Sequence, residues 1–364
     1  MIKKYYVMVL LLVMLGTVSC QKSNIDTPPK ESADTPDATT KATDSKSSQE
    51  NKTNSTSGNG EFVQPEAVKE TFTINGHEYT VDAVSGPTKE VPFDKNTPPM
   101  DYNEKLKKMF WSGKPAVGTV EGDLYHKEYP FNDGYVAVID VVKEKGKIVL
   151  VELDEIASQS YYARQWAGGP KRLSGYGFFQ AESQRTDATL MTLINSMTYL
   201  EYQMMSENRL TGDFKTVRGS SNSATKGFIP AAKELAEEMT EPSEQRYHSI
   251  TKDFGDGISA RLLVITNTNG ISSVKYDEYF ADIQDEIKDQ ELKQFYRQSK
   301  YYSIDYNWVT CKDFKHYSDD ISMAAIASKD LLQLTPEVEN NAKFTEELNR
   351  YKTLAIEMNK LLSK

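Results

Sequence analysis

The chain has 364 residues, a formal net charge of −10 and only two cysteines. That acidity repels nucleic acid and anionic headgroups, and the shortage of thiols excludes a small disulfide-stapled scaffold. The four histidines, His77, His126, His248 and His316, stand far apart and never at zinc-ligand spacing.

The first element is a signal segment. Lys3 and Lys4 precede an apolar run from Tyr5 to Leu15, followed by Gly16-Thr17-Val18-Ser19-Cys20. The run is short for a permanent membrane span, and a small residue directly before a cysteine suits a lipoprotein signal peptidase. Residues 1–19 are therefore expected to be removed and Cys20 to be lipidated, although Thr17 departs from the leucine usual at that place. The lipid would hold the protein at the membrane on its extracytoplasmic side. On that expectation no intramolecular disulfide holds the fold, and Cys311 is expected to be a small buried residue. Residues 20–61 are dominated by Ser, Thr, Asp, Lys, Asn and Pro. So little apolar surface cannot offset chain entropy, and the stretch reads as a disordered stalk.

From about Phe62 onward the sequence becomes globular. A short β extension over 62–108 contains a Thr/Tyr strand pair near Phe72 to Val81. Two copies of one pattern follow, over 109–242 and 243–364. Tyr125-His126 recurs as Tyr247-His248, Asp133-Gly134 as Asp256-Gly257, and Asp154-Glu155 as Asp277-Glu278. Each Asp-Gly precedes a β-hairpin: Tyr135 to Val142 with Ile148 to Leu153, then Ala260 to Ile265 with Ile271 to Tyr276. Leu190, Leu193, Ile194, Met197, Leu200 and Met204 fall on one helical face, with the methionines as core filling. Further helices are expected from Pro230 to Met239 and from Phe344 to Leu362. Asp213-Phe214-Lys215 recurs as Asp313-Phe314-Lys315 at a shorter offset, which predicts an extra segment in the first copy within Gly168 to Leu190. Hairpins with segregated helices argue for an α+β fold.

An Asp-Gly-Tyr start, a hairpin with Gly-Lys-Ile at its turn and a late Gly/Ser loop before a helix together resemble the FMN-binding domain. In tandem behind a lipobox and a polar stalk, they are similar to the pheromone-type flavolipoproteins of Gram-positive bacteria that serve extracellular electron transfer. The resemblance covers roughly Asp123 to the C-terminus. It implies FMN as cofactor, a flavin transferase and a membrane electron donor as partners, and attachment through a phosphoester to a hydroxyl in a loop of the form D-x-x-S/T-G-A-T-x-S/T. It also implies that a fragment of the signal segment, Val9 to Ser19, could serve as a peptide pheromone.

The matching loop is Lys215-Thr216-Val217-Arg218-Gly219-Ser220-Ser221-Asn222-Ser223. Gly219 and Ser223 fit the motif, Ser221 falls at the acceptor position, and Lys215, Arg218 and Ser220 depart from it. A second register would use Thr225. A glycine-bearing loop before a helix suits a phosphate, because backbone amides can approach it and the helix dipole favours negative charge. Tyr161, Tyr162, Trp166, Tyr176 and Phe178 offer ring faces for isoalloxazine, with Lys171 and Arg172 for phosphate; in the second copy Tyr296, Arg297, Lys300, Tyr301 and Tyr302 form a similar group, expected as helix surface and core. The second-copy loop aligns with Ser318-Asp319-Asp320-Ile321, which has no acceptor and would repel a phosphate. Asp82-Ala83-Val84-Ser85-Gly86-Pro87-Thr88 also fits the letters, but reads as a strand-ending Gly-Pro turn. The acidic pairs Asp154-Glu155 and Asp277-Glu278 are expected to solvate a turn. With no hydrolase elbow or metal motif, the choice lies between a redox carrier and a non-redox binding scaffold descended from such domains.

Overall fold

The computed structural model describes residues 66–86 and 96–363. The signal segment, Cys20, the stalk and Thr88 lie outside the described residues. β1 (Ala67–Ile74) and β2 (His77–Val84) form a hairpin. Its turn is Asn75-Gly76, both at positive φ (53° and 76°), the conformation that matches the twist of paired strands. α1 (Tyr102–Lys108) starts at Asp101, whose carboxylate accepts from the Glu104 amide.

A three-strand meander follows: β3 (Gly118–Phe131), β4 (Tyr135–Glu144) and β5 (Lys147–Ile156). The β4–β5 turn, Lys145-Gly146, again holds two residues at positive φ (51° and 77°). Next come α2 (Tyr176–Glu182), α3 (Arg185–Thr189), α4 (Leu193–Ser206), the short β6 (Thr216–Val217), α5 (Ser221–Ser223), a π-helical turn (Ala224–Phe228) and α6 (Ile229–Glu238). A second meander, β7 (Arg246–Asp253), β8 (Ile258–Asn267) and β9 (Gly270–Phe280), leads to α7 (Ile304–Thr310), α8 (Phe314–Ser328), α9 (Pro336–Glu339) and α10 (Thr345–Leu362).

The meanders join edge to edge through β3 and β7 into one antiparallel sheet, ordered β5-β4-β3-β7-β8-β9, while β1, β2 and β6 form a separate small sheet. The architecture is α+β, as expected. The boundary expected at 242/243 falls between α6 and β7, yet the halves on either side share this sheet. β5 and β8 are four positions apart in it, about 19 Å if it were flat. Glu152 on β5 nevertheless bonds Arg261 on β8 at 2.6 Å, so the sheet is strongly curled. Helices cover its outer face: α4 packs on β5, α6 on β3 and β4, α8 on β9, and α10 on β7 and β8. Two cores result, one around Ile139, Met197, Met204 and Phe228, the other around Leu262, Tyr276, Phe314 and Tyr351. Among the described residues no helix is long and apolar enough to cross a membrane.

Several expectations are overturned. Ser318-Asp319-Asp320-Ile321 is not a loop but lies inside α8, because Phe314, Tyr317 and Ile321 bury one helical face against the second core. The segment that stands between α8 and α10, as 207–228 stands between α4 and α6, is 329–344, and it contains no glycine. The extra segment within Gly168 to Leu190 is not extra: the connection from β5 to α4 spans 157–192, and that from β9 to α8 spans 281–313. Cys311 is exposed, because it caps α7 at a surface corner with φ 51°. The acidic pairs are not turn solvation either. Glu155, Asp277 and Glu278 are buried, and each is held by specific donors.

Candidate functional site

The ends of β3 and β5, the start of β4, the 157–175 connection and the loop before α5 converge on one cavity of about 260 Å³. Lys171 enters from the connection. Its ammonium pairs with Glu155 and sits 4.8, 5.1 and 4.6 Å from the ring centres of Tyr135, Tyr161 and Tyr176. Burial to 3% exposure would be costly for a lone lysine; the carboxylate and the ring faces together compensate it. Tyr161 and Tyr176 share a 2.7 Å hydrogen bond, and burial pushes both phenols well above their ordinary pKa. Glu155 Oε2 is buried with no hydrogen-bond partner.

The opposite wall is the expected loop. Gly219, Ser220, Asn222 and Ser223 line the cavity with Arg185, Thr186 and Thr189. Gly219 stands at φ 88°, and a Cβ there would lie 2.4 Å from Thr189 Cγ2, so only glycine lets the loop approach α3. The loop is tied to α4: Ser220 Oγ donates to the Thr192 carbonyl at 3.3 Å, and Ser196 Oγ donates to the Ser220 carbonyl at 3.1 Å. After the loop the helix widens into its π turn, where Gly227 comes so close to Phe131 that a Cβ would lie 2.9 Å from the ring. Such widened turns recur at functional sites. Gly219→Ala is expected to cost about 1–3 kcal/mol, from the steric clash and the left-handed backbone together, and to be read as a lower thermal unfolding midpoint.

The structure therefore brings Gly219, Ser220, Asn222, Ser223, Lys171 and Tyr176 around one space. It separates two other expected residues from it. Ser221 is 2% exposed and does not line the cavity, because the first turn of α5 faces it inward. Thr225 donates to the Asn222 carbonyl at 3.2 Å and borders a shallow groove with Tyr129 and Pro230 instead. Arg172 is not a phosphate ligand: its guanidinium is committed to Glu201, to the Gly113 carbonyl at 2.8 Å and to the Leu153 carbonyl at 2.9 Å. Tyr162 is exposed, and Phe178 packs on Trp111 and Tyr296 away from the cavity. In the second half, Arg297 and Lys300 are buried, and neither lies in a helix.

Sequence reasoning missed Glu155. Its signal was present in the recurrence of Asp-Glu in both halves, but nothing local shows that a lysine sixteen positions later folds back onto it. The second half has the same pair and a different outcome. Glu278 receives Lys300 at 2.8 Å and Arg350 at 2.8 and 3.0 Å, and Lys300 also bonds Glu347 at 2.8 Å. Arg350 and Glu347 come from α10, so both oxygens of Glu278 are satisfied from within. No protein-family model, curated protein or solved structure matches the chain.

Proposed function

We propose that this chain is a lipid-anchored extracytoplasmic protein built from two FMN-binding-like halves, the first holding a phosphorylated flavin and serving electron transfer, the second retained as scaffold. One observation carries this reading: Gly219, Ser220, Asn222 and Ser223 of the glycine-bearing loop, with Lys171 and Tyr176 from separate stretches of sequence, line one cavity beside a helix start. The duplication draws support from the matched placing of the helices on the two meanders and from paired details. Asp154 accepts from the amides of Glu155, Lys171 and Arg172, and Asp277 from those of Glu278 and Tyr301. The Lys171 amide donates to the Glu155 carbonyl, and the Lys300 amide to that of Glu278.

The cavity is smaller than the roughly 300–1,000 Å³ typical of pockets that engulf a whole ligand. It suits the phosphate and polyol end of FMN, with the ring system against the tyrosines at its edge. Loop amides and Arg185 would meet the phosphate, Glu155 Oε2 would accept from a ligand donor, and the bound flavin would supply the redox chemistry. Ser220 and Ser223 are the loop hydroxyls at the cavity, so non-covalent holding fits this geometry; a phosphoester at Ser221 requires the first turn of α5 to open.

The test is absorbance of the native protein after expression with a flavin transferase, followed by a denaturing gel read by fluorescence. About one flavin per chain is expected in the native protein, and Arg185→Gln should weaken FMN binding by about tenfold while leaving riboflavin binding nearly unchanged. A native protein without flavin overturns the reading. A fluorescent denatured band that Ser221→Ala darkens would assign attachment to that hydroxyl. The second reading, a non-redox scaffold, is favoured by one fact: Glu155 already neutralises Lys171.

A further inference from the structure

A second cleft, of about 1,010 Å³, opens where the post-sheet connections of the two halves meet α1. It shares no lining residue with the cavity beside Gly219, and its walls lie at the edges of the cores: Trp166 and Phe179 on the first, Tyr296 on the second. Trp166, Phe178, Phe179 and Tyr296 supply its aromatic surface. Phe178 and Tyr296 meet edge to face at 4.9 Å, and Phe179 lies 5.9 Å from Trp166.

Three buried polar atoms of this lining have no hydrogen-bond partner: Trp166 Nε1, Asp282 Oδ1 and Arg297 Nη1. Each such group costs about 1–3 kcal/mol unless something completes it. Arg297 is held there under constraint. Its backbone is left-handed at φ 63°, its Nε donates to the Asp282 carbonyl at 3.1 Å, and its guanidinium lies 4.4 Å from the Trp111 ring. A non-glycine residue in that conformation is uncommon and clusters at binding sites.

The chemistry of the lining narrows the ligand. Lys107 and Arg297 face Glu182, Asp282, Asp285 and Asp305, of which Asp282 pairs with Lys114 and Asp285 with Lys293 at 3.3 Å each, so the wall is close to balanced and offers no cationic cluster to a phosphate or carboxylate ligand. Asn103, Gln165, Gln284, Gln294 and Gln298 also line the cleft. Carboxamides both donate and accept, as hydroxyl groups do, and aromatic faces pack against the C–H faces of pyranose rings. We infer that this cleft binds a neutral oligosaccharide, with the rings as platform and the amides, Asp282 and Arg297 bonding its hydroxyls.

The test is isothermal titration of the mature chain with N,N′,N″-triacetylchitotriose, maltotriose and trigalacturonate. At least one of the two neutral trisaccharides is expected to bind, and trigalacturonate at least about tenfold more weakly. Phe178→Ala combined with Tyr296→Ala should weaken the neutral sugar by about tenfold or more, with circular dichroism and flavin content unchanged. Should that pair disturb folding, Asn103→Ala combined with Gln294→Ala, both at exposed positions, probes the same cleft and should also weaken binding. Failure of both neutral sugars to bind overturns the inference, as does tighter binding of the acidic one or binding indifferent to the variants. Flavin content read in the same samples separates this outcome from failure of the flavin site.

Discussion

Glu278→Gln is expected to cost about 3–5 kcal/mol of folding stability, read as a lowered midpoint in urea denaturation. Glu278 is fully buried and pairs with two cations, Lys300 and Arg350, while also accepting from the Tyr276 hydroxyl. Those two cations hold its carboxyl below the ordinary carboxylate range even though burial pushes the other way. Neutralising it strands Lys300, itself 3% exposed, with Glu347 as its remaining anionic partner. Glu155→Gln is the matched control. Glu155 pairs with one cation and leaves Oε2 without a partner, so its replacement should cost clearly less. Equal losses would show that α10 does not plug the second half, and the contrast on which the single-site reading leans would disappear.

The contribution of Asp277 to stability is expected to fall as pH rises from about 4 to about 7, and Asp277→Asn should remove that part of the pH slope. Burial pushes the Asp277 carboxyl up from 3.8 to about 6, against the pull of the Ser299 hydroxyl and the Tyr301 amide. Between those two values the unfolded chain has released the proton and the folded chain still holds it. The stabilisation is therefore complete below about pH 4 and lost as pH passes about 6. At about 1.4 kcal/mol per unit, the swing is about 3 kcal/mol. Asparagine keeps an oxygen for the amides of Glu278 and Tyr301, so stability at pH 4 should change little while that at pH 7 rises. Asp154, likewise pushed up to about 6 by burial, keeps partial solvent access, and its contribution should be smaller. Denaturation series at several pH values check both; a slope unchanged in Asp277→Asn defeats the assignment.

The two carboxyl pairs mark where sequence reasoning stopped. Asp154-Glu155 and Asp277-Glu278 are identical dipeptides at the ends of similar strands, and at that level they look like solvated turns. What separates them is a residue on a helix more than seventy positions away: Arg350 reaches Glu278, while no comparable side chain reaches Glu155 Oε2. The same limit explains the misaligned Asp313-Phe314-Lys315. A three-residue match carries no record of which strand a helix covers, and Phe314 begins the helix on β9 rather than a loop. The cleft beside Trp166 and Arg297 was equally hidden, since its walls come from α1 and two distant connections.

Local chemistry alone settled the turns, the hairpins and the apolar faces of α4, α6 and α10, because glycine at positive φ and periodic burial are properties of neighbouring residues. It also singled out the loop 219–223, where a glycine and small hydroxyl residues precede a helix. The curl of the sheet, the pairing of β3 with β7 and the plugging of one half but not the other were settled only in three dimensions. They depend on charges and rings brought together from far along the chain, and their strength comes from burial, which no short stretch of sequence experiences.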